Sequence, residues 1–427
     1  MAYKTGDMVR VSIDNENYEG IVMPSSSEKV LALKLKNGYN LNFEITKDVK
    51  VKVIAEAKPE KKLEIKVPKS DLPSVTLVST GGTITSKVDY KTGAVFPLEK
   101  PEELILSIPE LVDTVNIKKI TQPFAVLSED MTPAEWSIIA KEVADALNSK
   151  DTGVIVTHGT DTLHFTASAL SFMLQNLSKP VALVGGQRSS DRGSFDGALN
   201  LIAAGHYVKS NIAEVAVVMH GEEADTFCFA NRGTKTRKFH TTRRDTFRPI
   251  NELPLAKISK EGKIEILNKN FKARTNNKVT VNTDFERKIA LVKYYPGASP
   301  EIIDYYLDKK YKGLIIEATG LGHVSTQSLN KKDSWLPAIQ EAVKKKMFIG
   351  FAPQCIYGTL DPFVYANARI LQEAGVTYLG DMLPDTAYVK LGCMIPRAGS
   401  REELIKLMTT NIAGELNNKI PAQAFLY

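Results

Sequence analysis

The rhythm of hydrophobic and polar positions changes twice along the chain. Up to about residue 55 the apolar residues alternate with polar ones. Examples are Met8-Val9-Arg10-Val11-Ser12-Ile13, Tyr18-Glu19-Gly20-Ile21-Val22, Val30-Leu31-Ala32-Leu33-Lys34-Leu35, Leu41-Asn42-Phe43 and Val49-Lys50-Val51-Lys52-Val53. Asn- and Gly-containing turns separate them, at Asp14-Asn15-Glu16-Asn17 and Lys36-Asn37-Gly38-Tyr39-Asn40. Short period-two strands with such turns predict a small all-β, SH3-like barrel over 1–55. Residues 56–73 are rich in Lys and Glu with three prolines, Pro59, Pro68 and Pro73. They read as an extended linker.

From Ser74 the pattern becomes continuous apolar strands alternating with amphipathic helices, which predicts an α/β fold with a parallel sheet. Strands are expected at 75–80, 153–157, 181–185 and 215–220, and helices at 133–149 and 195–209. Thr132, Pro133 and Glu135 supply the start of the first helix as cap, first-turn proline and capping-box acid. Residues 231–285 look irregular, with some local strand near 256–267, and close a first α/β domain over 74–285. A second, over 286–427, has strands at 289–294, 313–318 and 347–351 and helices at 300–311 and 334–346. Its last helix opens on the capping box Ser400-Arg401-Glu402-Glu403.

Composition narrows the class. The 427 residues are 43% hydrophobic and 24% charged, which is ordinary for globular domains. No run of 18 apolar residues and no apolar leader occurs, so neither a membrane span nor a signal peptide is expected. Three scattered cysteines without a CxxC argue against a disulfide framework or zinc knuckle and suit a reducing cytoplasm. The net charge of +6 is too small to indicate nucleic acid by itself.

The candidate chemistry sits where strands end. Val154-Ile155-Val156-Thr157 runs into His158-Gly159-Thr160-Asp161-Thr162, and the strand from Val75 runs into Thr80-Gly81-Gly82-Thr83-Ile84. In open α/β sheets ligands bind at such carboxyl ends. The two glycines expose backbone N–H groups, yet the string is neither GxGxxG nor GxxxxGK[ST], so a nucleotide site lacks its motif. A threonine hydroxyl is a weak nucleophile without a base or polarising partner. Thr160-Asp161 could supply one, could grip an ammonium, or Asp161 could cap the helix that follows. Lys235, in Asn231-Arg232-Gly233-Thr234-Lys235-Thr236-Arg237-Lys238, could tune the hydroxyls if buried beside Asp161. Seven basic residues against one acid over 232–248 could also form an anion-binding patch. The six histidines show no metal spacing, and His158 reads as a structural turn residue.

Four strings in order, Thr80-Gly81-Gly82-Thr83-Ile84, Ser128-Glu129-Asp130-Met131, His158-Gly159-Thr160-Asp161-Thr162 and Gly233-Thr234-Lys235-Thr236, resemble the bacterial-type L-asparaginase family over residues 74–427. With a barrel in front, the chain resembles the asparaginase-like chains of archaeal glutamyl-tRNA(Gln) amidotransferases. The resemblance implies two asparaginase-type parallel-sheet α/β domains behind the barrel. It implies that Thr83 is the acylated nucleophile and that Thr160, Asp161 and Lys235 handle its proton. It further implies that Ser128 and Glu129 hold the substrate's α-carboxylate and α-ammonium, with Tyr90 on a closing segment over 85–96. Glutamine would be split to glutamate and ammonia with no cofactor in this chain. A partner, the E subunit of the amidotransferase, would use ATP and Mg2+ on Glu-tRNA(Gln). The chain would pair with itself, Thr319-Gly320-Leu321-Gly322-His323 approaching the neighbour's site, and would meet tRNA(Gln) only through the complex. The alternatives are a stand-alone cytosolic asparaginase with an accessory barrel and a nucleic-acid-binding protein on a degenerate scaffold.

Overall fold

The computed structural model describes residues 3–14, 16–25, 27, 29–35, 40–57, 71–88, 95–97, 104–105, 108–190 and 195–426. It divides into two compact units, Met1–Lys66 with Lys87–Phe96, and Val67–Ser86 with Pro97–Tyr427. Tyr90 and most of the expected linker lie outside the described residues.

The first unit carries five strands, β1 (Met8–Ile13), β2 (Glu16–Met23), β3 (Val30–Leu35), β4 (Asn40–Glu44) and β5 (Lys50–Ala55). They form one antiparallel sheet in the order β4-β3-β2-β1-β5. The alternation in the sequence has a direct consequence: Val9, Val11, Val22, Leu31, Leu33 and Phe43 face inward as one small core.

The second unit opens with β6 (Ser74–Ser79); the ribbon of β7 (Ser86–Val88) and β8 (Val95–Pro97) falls mostly in the first unit, within residues 87–96. Then come β9 (Asn116–Thr121), β10 (Gly153–Thr157), β11 (Leu174–Gln175), β12 (Val181–Val184), β13 (Val215–His220) and β14 (Phe227–Arg232). Next are β15 (Thr236–Lys238), β16 (Phe247–Pro249), β17 (Ala256–Ser259), β18 (Ile264–Ile266) and β19 (Thr280–Val281). The main sheet has the order β18-β17-β14-β13-β12-β10-β6-β9. Its pairs from β9 through β13 are parallel, whereas β14, β17 and β18 join antiparallel. The sheet is therefore mixed rather than purely parallel, and residues 231–285 are far less irregular than their sequence suggests. Strand β14 escapes the apolar pattern because it ends in Asn231 and Arg232. Both are fully enclosed, and Arg232 is compensated by Glu214 and Glu252 rather than by water.

The helix Pro133–Leu147 covers one face, and its capping box from Thr132 and Glu135 is present as expected. Glu135 accepts the Thr132 backbone N–H at 2.7 Å. Helix Leu163–Met173 is buried nearly all round, between the main sheet and helix Pro384–Met394. Thr162 precedes its first turn without a side-chain capping bond, so Asp161 does not cap it.

A smaller, all-parallel sheet follows, β20 (Ile289–Lys293), β21 (Gly313–Ala318), β22 (Phe348–Pro353) and β23 (Thr377–Tyr378). One hydrophobic core joins both sheets of this unit and the helices between them, including Val156 and Val217 from the first sheet, Ile315 and Phe348 from the second, and Leu163 and Leu391 from the helices. Helix Arg401–Thr409 opens on half of the expected capping box: the Ser400 hydroxyl accepts the Glu403 N–H at 3.1 Å, while the Glu403 carboxylate accepts the Gly399 N–H at 2.7 Å. Among the described residues no helix is long and apolar enough to cross a membrane.

Candidate active site

Three neighbouring strands build the site. In β6, β10 and β12 the residues Ser79, Thr157 and Val184 stand in register, so the turns that begin at Thr80, His158 and Gly185 leave one sheet edge side by side. The Thr80 hydroxyl donates to Thr157 O at 2.9 Å, and the His158 N–H donates to Val184 O at 2.9 Å. Gly82 sits at φ +84°, and a Cβ there would stand 2.4 Å from both Cα and N of Gly159. Only glycine permits that conformation and that contact. Thr83, the residue after it, is half-buried and opens a short 3-10 turn, Thr83–Thr85.

A fourth segment comes from the loop after β9. Val126 N–H donates to Thr80 O at 3.1 Å, and the Thr162 hydroxyl donates to Ser128 O at 2.6 Å. Ser128 is thereby buried beside the 158–162 turn, while Glu129 next to it is exposed.

The lysine of the cluster is not the one expected. Lys235 is fully buried and turned away: its Nζ donates to Asp381 Oδ2 at 2.7 Å and Asp381 O at 2.9 Å. Burial lowers its pKa, opposed by the Asp381 carboxylate. Lys238 instead reaches the turn, its Nζ lying 2.8 Å from Thr160 Oγ1 and 2.7 Å from Asp161 Oδ1. The reason is local. Lys235 lies in the turn after β14, its N–H bonded to Arg232 O, whereas Lys238 ends β15, which pairs with β16 from Thr236↔Pro249 to Lys238↔Phe247. A strand holds Lys238 in a fixed direction.

The basic stretch is likewise paired with carboxylates of the chain itself. Arg232 pairs with Glu214 and Glu252, Arg237 with Asp385, Arg243 and Arg248 with Asp245, and Arg244 with Asp225. With Lys235 and Lys238 engaged as above, these ion pairs remove the anion-binding patch that the sequence suggested.

His158 lies behind the turn, fully buried. Its Nδ1 is 2.6 Å from Gly159 O and its Nε2 is 2.8 Å from Thr166 Oγ1. A carbonyl can only accept, so Nδ1 carries the proton and Nε2 accepts from Thr166. Burial pushes the pKa down to about 4, and the ring holds the turn as a neutral strut. Among the described residues no group of three or more His, Cys, Asp or Glu could hold a metal ion.

This geometry has known counterparts. A model of the asparaginase N-terminal domain matches residues 74–272, and one of the glutaminase/asparaginase C-terminal domain matches 288–408. The GatD N-terminal domain model matches residues 3–54. The glutamyl-tRNA(Gln) amidotransferase D subunit of Pyrococcus abyssi is 49% identical over 421 residues, covering 96% of this chain and 94% of that protein. The chain belongs to the family of glutamyl-tRNA(Gln) amidotransferase D subunits. The D subunit of Methanopyrus kandleri is 43% identical over 96% of this chain and 91% of its own length. Among solved structures, the thermostable L-asparaginase of Thermococcus kodakarensis superposes with a TM-score of 0.72 at 25% identity, over 81% of this chain and 100% of that one. L-asparaginase I of Vibrio cholerae gives 0.69 at 29% identity, over 81% and 99%. The amidotransferase relatives thus match nearly the whole chain, whereas the asparaginases cover only four-fifths of it.

Proposed function

We propose that this chain is the glutaminase subunit of a tRNA-dependent amidotransferase. The observation that carries the reading is the convergence of Thr160, Asp161 and Lys238 on a turn whose Gly159 touches Gly82, directly before Thr83. Thr83 Oγ attacks the side-chain amide carbon of glutamine. Its proton passes to the Thr160 hydroxyl as Thr160 gives its own to Lys238 Nζ, which hands one of its protons to the paired Asp161 carboxylate. Backbone N–H groups of the glycine-bearing turns steady the tetrahedral oxyanion. The C–N bond breaks, the proton returns by the same route to the leaving nitrogen, and ammonia departs. Water then hydrolyses the glutamyl ester on Thr83 to give glutamate.

In this reading Ser128 receives the substrate's α-carboxylate and Glu129 its α-ammonium. No cofactor serves in this chain. The E subunit of the amidotransferase uses ATP and Mg2+ to activate Glu-tRNA(Gln), and the ammonia converts it to Gln-tRNA(Gln). The N-terminal sheet domain, matched by the GatD N-terminal domain model, favours this complex over a stand-alone asparaginase. The chain acts in the cytoplasm as a homodimer within that complex, with 319–323 near the neighbour's site.

Ammonia release from glutamine and from asparagine, by the chain alone and with the partner protein plus Glu-tRNA(Gln), tests the reading. Glutamine cleavage stimulated by partner and tRNA is expected. Free cleavage of asparagine that neither of them alters would overturn it.

A further inference from the structure

A second set of buried polar groups stands behind the site, and the proton handling above does not use it. His220 ends β13 and Asn200 lies in helix Gly197–Tyr207; both are fully buried. His220 Nδ1 is 2.6 Å from Asn200 Oδ1, and its Nε2 is 2.9 Å from Asp225 Oδ1. On its other side the Asn200 amide nitrogen donates to Gly185 O at 3.0 Å and to Met219 Sδ at 3.4 Å.

These contacts fix which way the Asn200 amide points. Gly185 O and Met219 Sδ can only accept, so the NH2 must face them and Oδ1 must face His220 and the Cys228 thiol, 3.4 Å away. Burial pushes the Cys228 thiol well above its usual range, so it too approaches Oδ1 as a donor. An oxygen so placed requires a proton on His220 Nδ1. The Asp225 carboxylate at Nε2 likewise only accepts, so the ring is fixed between two acceptors, with Nδ1 donating to Asn200.

Gly185 begins the turn that stands against both candidate threonine segments. A Cβ on Gly185 would lie 2.7 Å from Thr160 Cγ2, and one on Gly186 would lie 3.4 Å from Ile84 Cα, beside Thr83. The rest of the turn is held from the same helix end, Asp196 accepting the N–H groups of Gln187 at 3.0 Å and Arg188 at 2.9 Å. An Asn200 amide turned the wrong way would set its oxygen against Gly185 O and push the turn toward Thr160.

We propose that His220 is a positioning residue for the amide-splitting reaction: its Nδ1 proton orients Asn200, which sets the Gly185–Gly186 turn against Thr160 and Ile84. The inference rests on the glutaminase reading for the reaction that it supports. Asn and Gln at position 220 separate the two ring nitrogens, because an Asn amide stands where Nδ1 stood and a Gln amide where Nε2 stood. In the full-length chain His220→Asn is expected to keep kcat for glutamine within about threefold of the unaltered protein. His220→Gln should lower kcat tenfold or more with KM changed less than threefold. Equal kcat in the two variants, or a better Gln variant, overturns the proposal. Ring 15N shifts of His220 give a readout free of substrate: Nδ1 stays protonated at pH 8 if the proposal holds, and an unprotonated Nδ1 there overturns it. If the unaltered chain fails to cleave glutamine, the glutaminase reading falls and the ring measurement still decides the proton's place.

Discussion

Lys238 Nζ stands 2.8 Å from Thr160 Oγ1, while Lys235, three residues earlier, is locked to Asp381 at 2.7 Å. The two lysines should therefore fail in opposite ways when replaced. Lys238→Met removes a proton acceptor and should lower glutamine hydrolysis by about 10²–10⁴-fold with little change in stability, since its partner Asp161 is mostly exposed. Lys235→Met leaves a buried carboxylate without its cation and should cost about 3–5 kcal/mol. Its activity per folded molecule should stay within reach of the unaltered chain. Denaturant titration alongside kcat checks both; a stable but inactive Lys235→Met would return the catalytic part to Lys235.

Thr83→Val keeps the shape of the side chain and removes the hydroxyl. Gly82 still allows the turn, so the fold should persist while ammonia release falls by on the order of 10³-fold or more. Mass spectrometry of the unaltered chain quenched during turnover should find a glutamyl ester within the peptide carrying Thr83. An adduct on Thr160 instead would exchange the two threonines' parts.

The strand ends were readable from sequence because they are apolar runs that stop at glycine and hydroxyl residues: 75–80 and 153–157 lie within a residue of Ser74–Ser79 and Gly153–Thr157. That is why Thr83 and Thr160-Asp161 could be placed on one edge. The region after His220 resisted the same reading because its polar residues are buried in pairs. Arg232 with Glu214 and Glu252, and Lys235 with Asp381, look solvent-facing in a hydropathy pattern. Only the fold brings their partners from elsewhere in the chain. A lysine could be counted on in that region, but which one faced Thr160 depended on the β15–β16 pairing, which no periodicity in three-residue strands can specify.

His158 makes stability depend on pH with a definite sign. Its folded pKa of about 4 lies below the ordinary value of 6.5. Between those values the unfolded chain binds a proton that the folded chain refuses, so stability is complete above pH 6.5, falls on acidification and levels off below pH 4. Between pH 7 and pH 5 the ring's share is about 2 kcal/mol. Comparing unfolding free energies of the unaltered chain and His158→Asn at both pH values isolates it. The variant should lose less on acidification, and an identical loss would show that the ring is not neutral in the folded protein.

Arg232 offers the sharpest test of the buried charges. Its Nη1 reaches Glu214 at 2.8 Å, its Nε reaches Glu252 at 3.2 Å and its Nη2 reaches Asn270 O at 2.5 Å, joining three segments away from water. A guanidinium can meet these acceptors at once because its donors diverge in one plane; an ammonium is a point charge on a single stem. Arg232→Lys keeps the charge and loses the fork, so a cost of roughly 1–3 kcal/mol is expected, the range for buried acceptors left unmet. Arg232→Met also removes the charge and should cost about 3–5 kcal/mol at neutral pH. The share of Glu252 in its pH dependence should then grow, with the same sign. Burial already raises the Glu252 pKa, with the nearby cations opposing it, and loss of Arg232 raises it further. The folded variant binds a proton there more readily than the unfolded chain does, so acidification from pH 7 toward pH 5 should narrow the stability gap between Arg232→Met and the unaltered protein. A gap that stays constant across that range would mean that Glu252 remains ionised without Arg232, and that water or another cation reaches it.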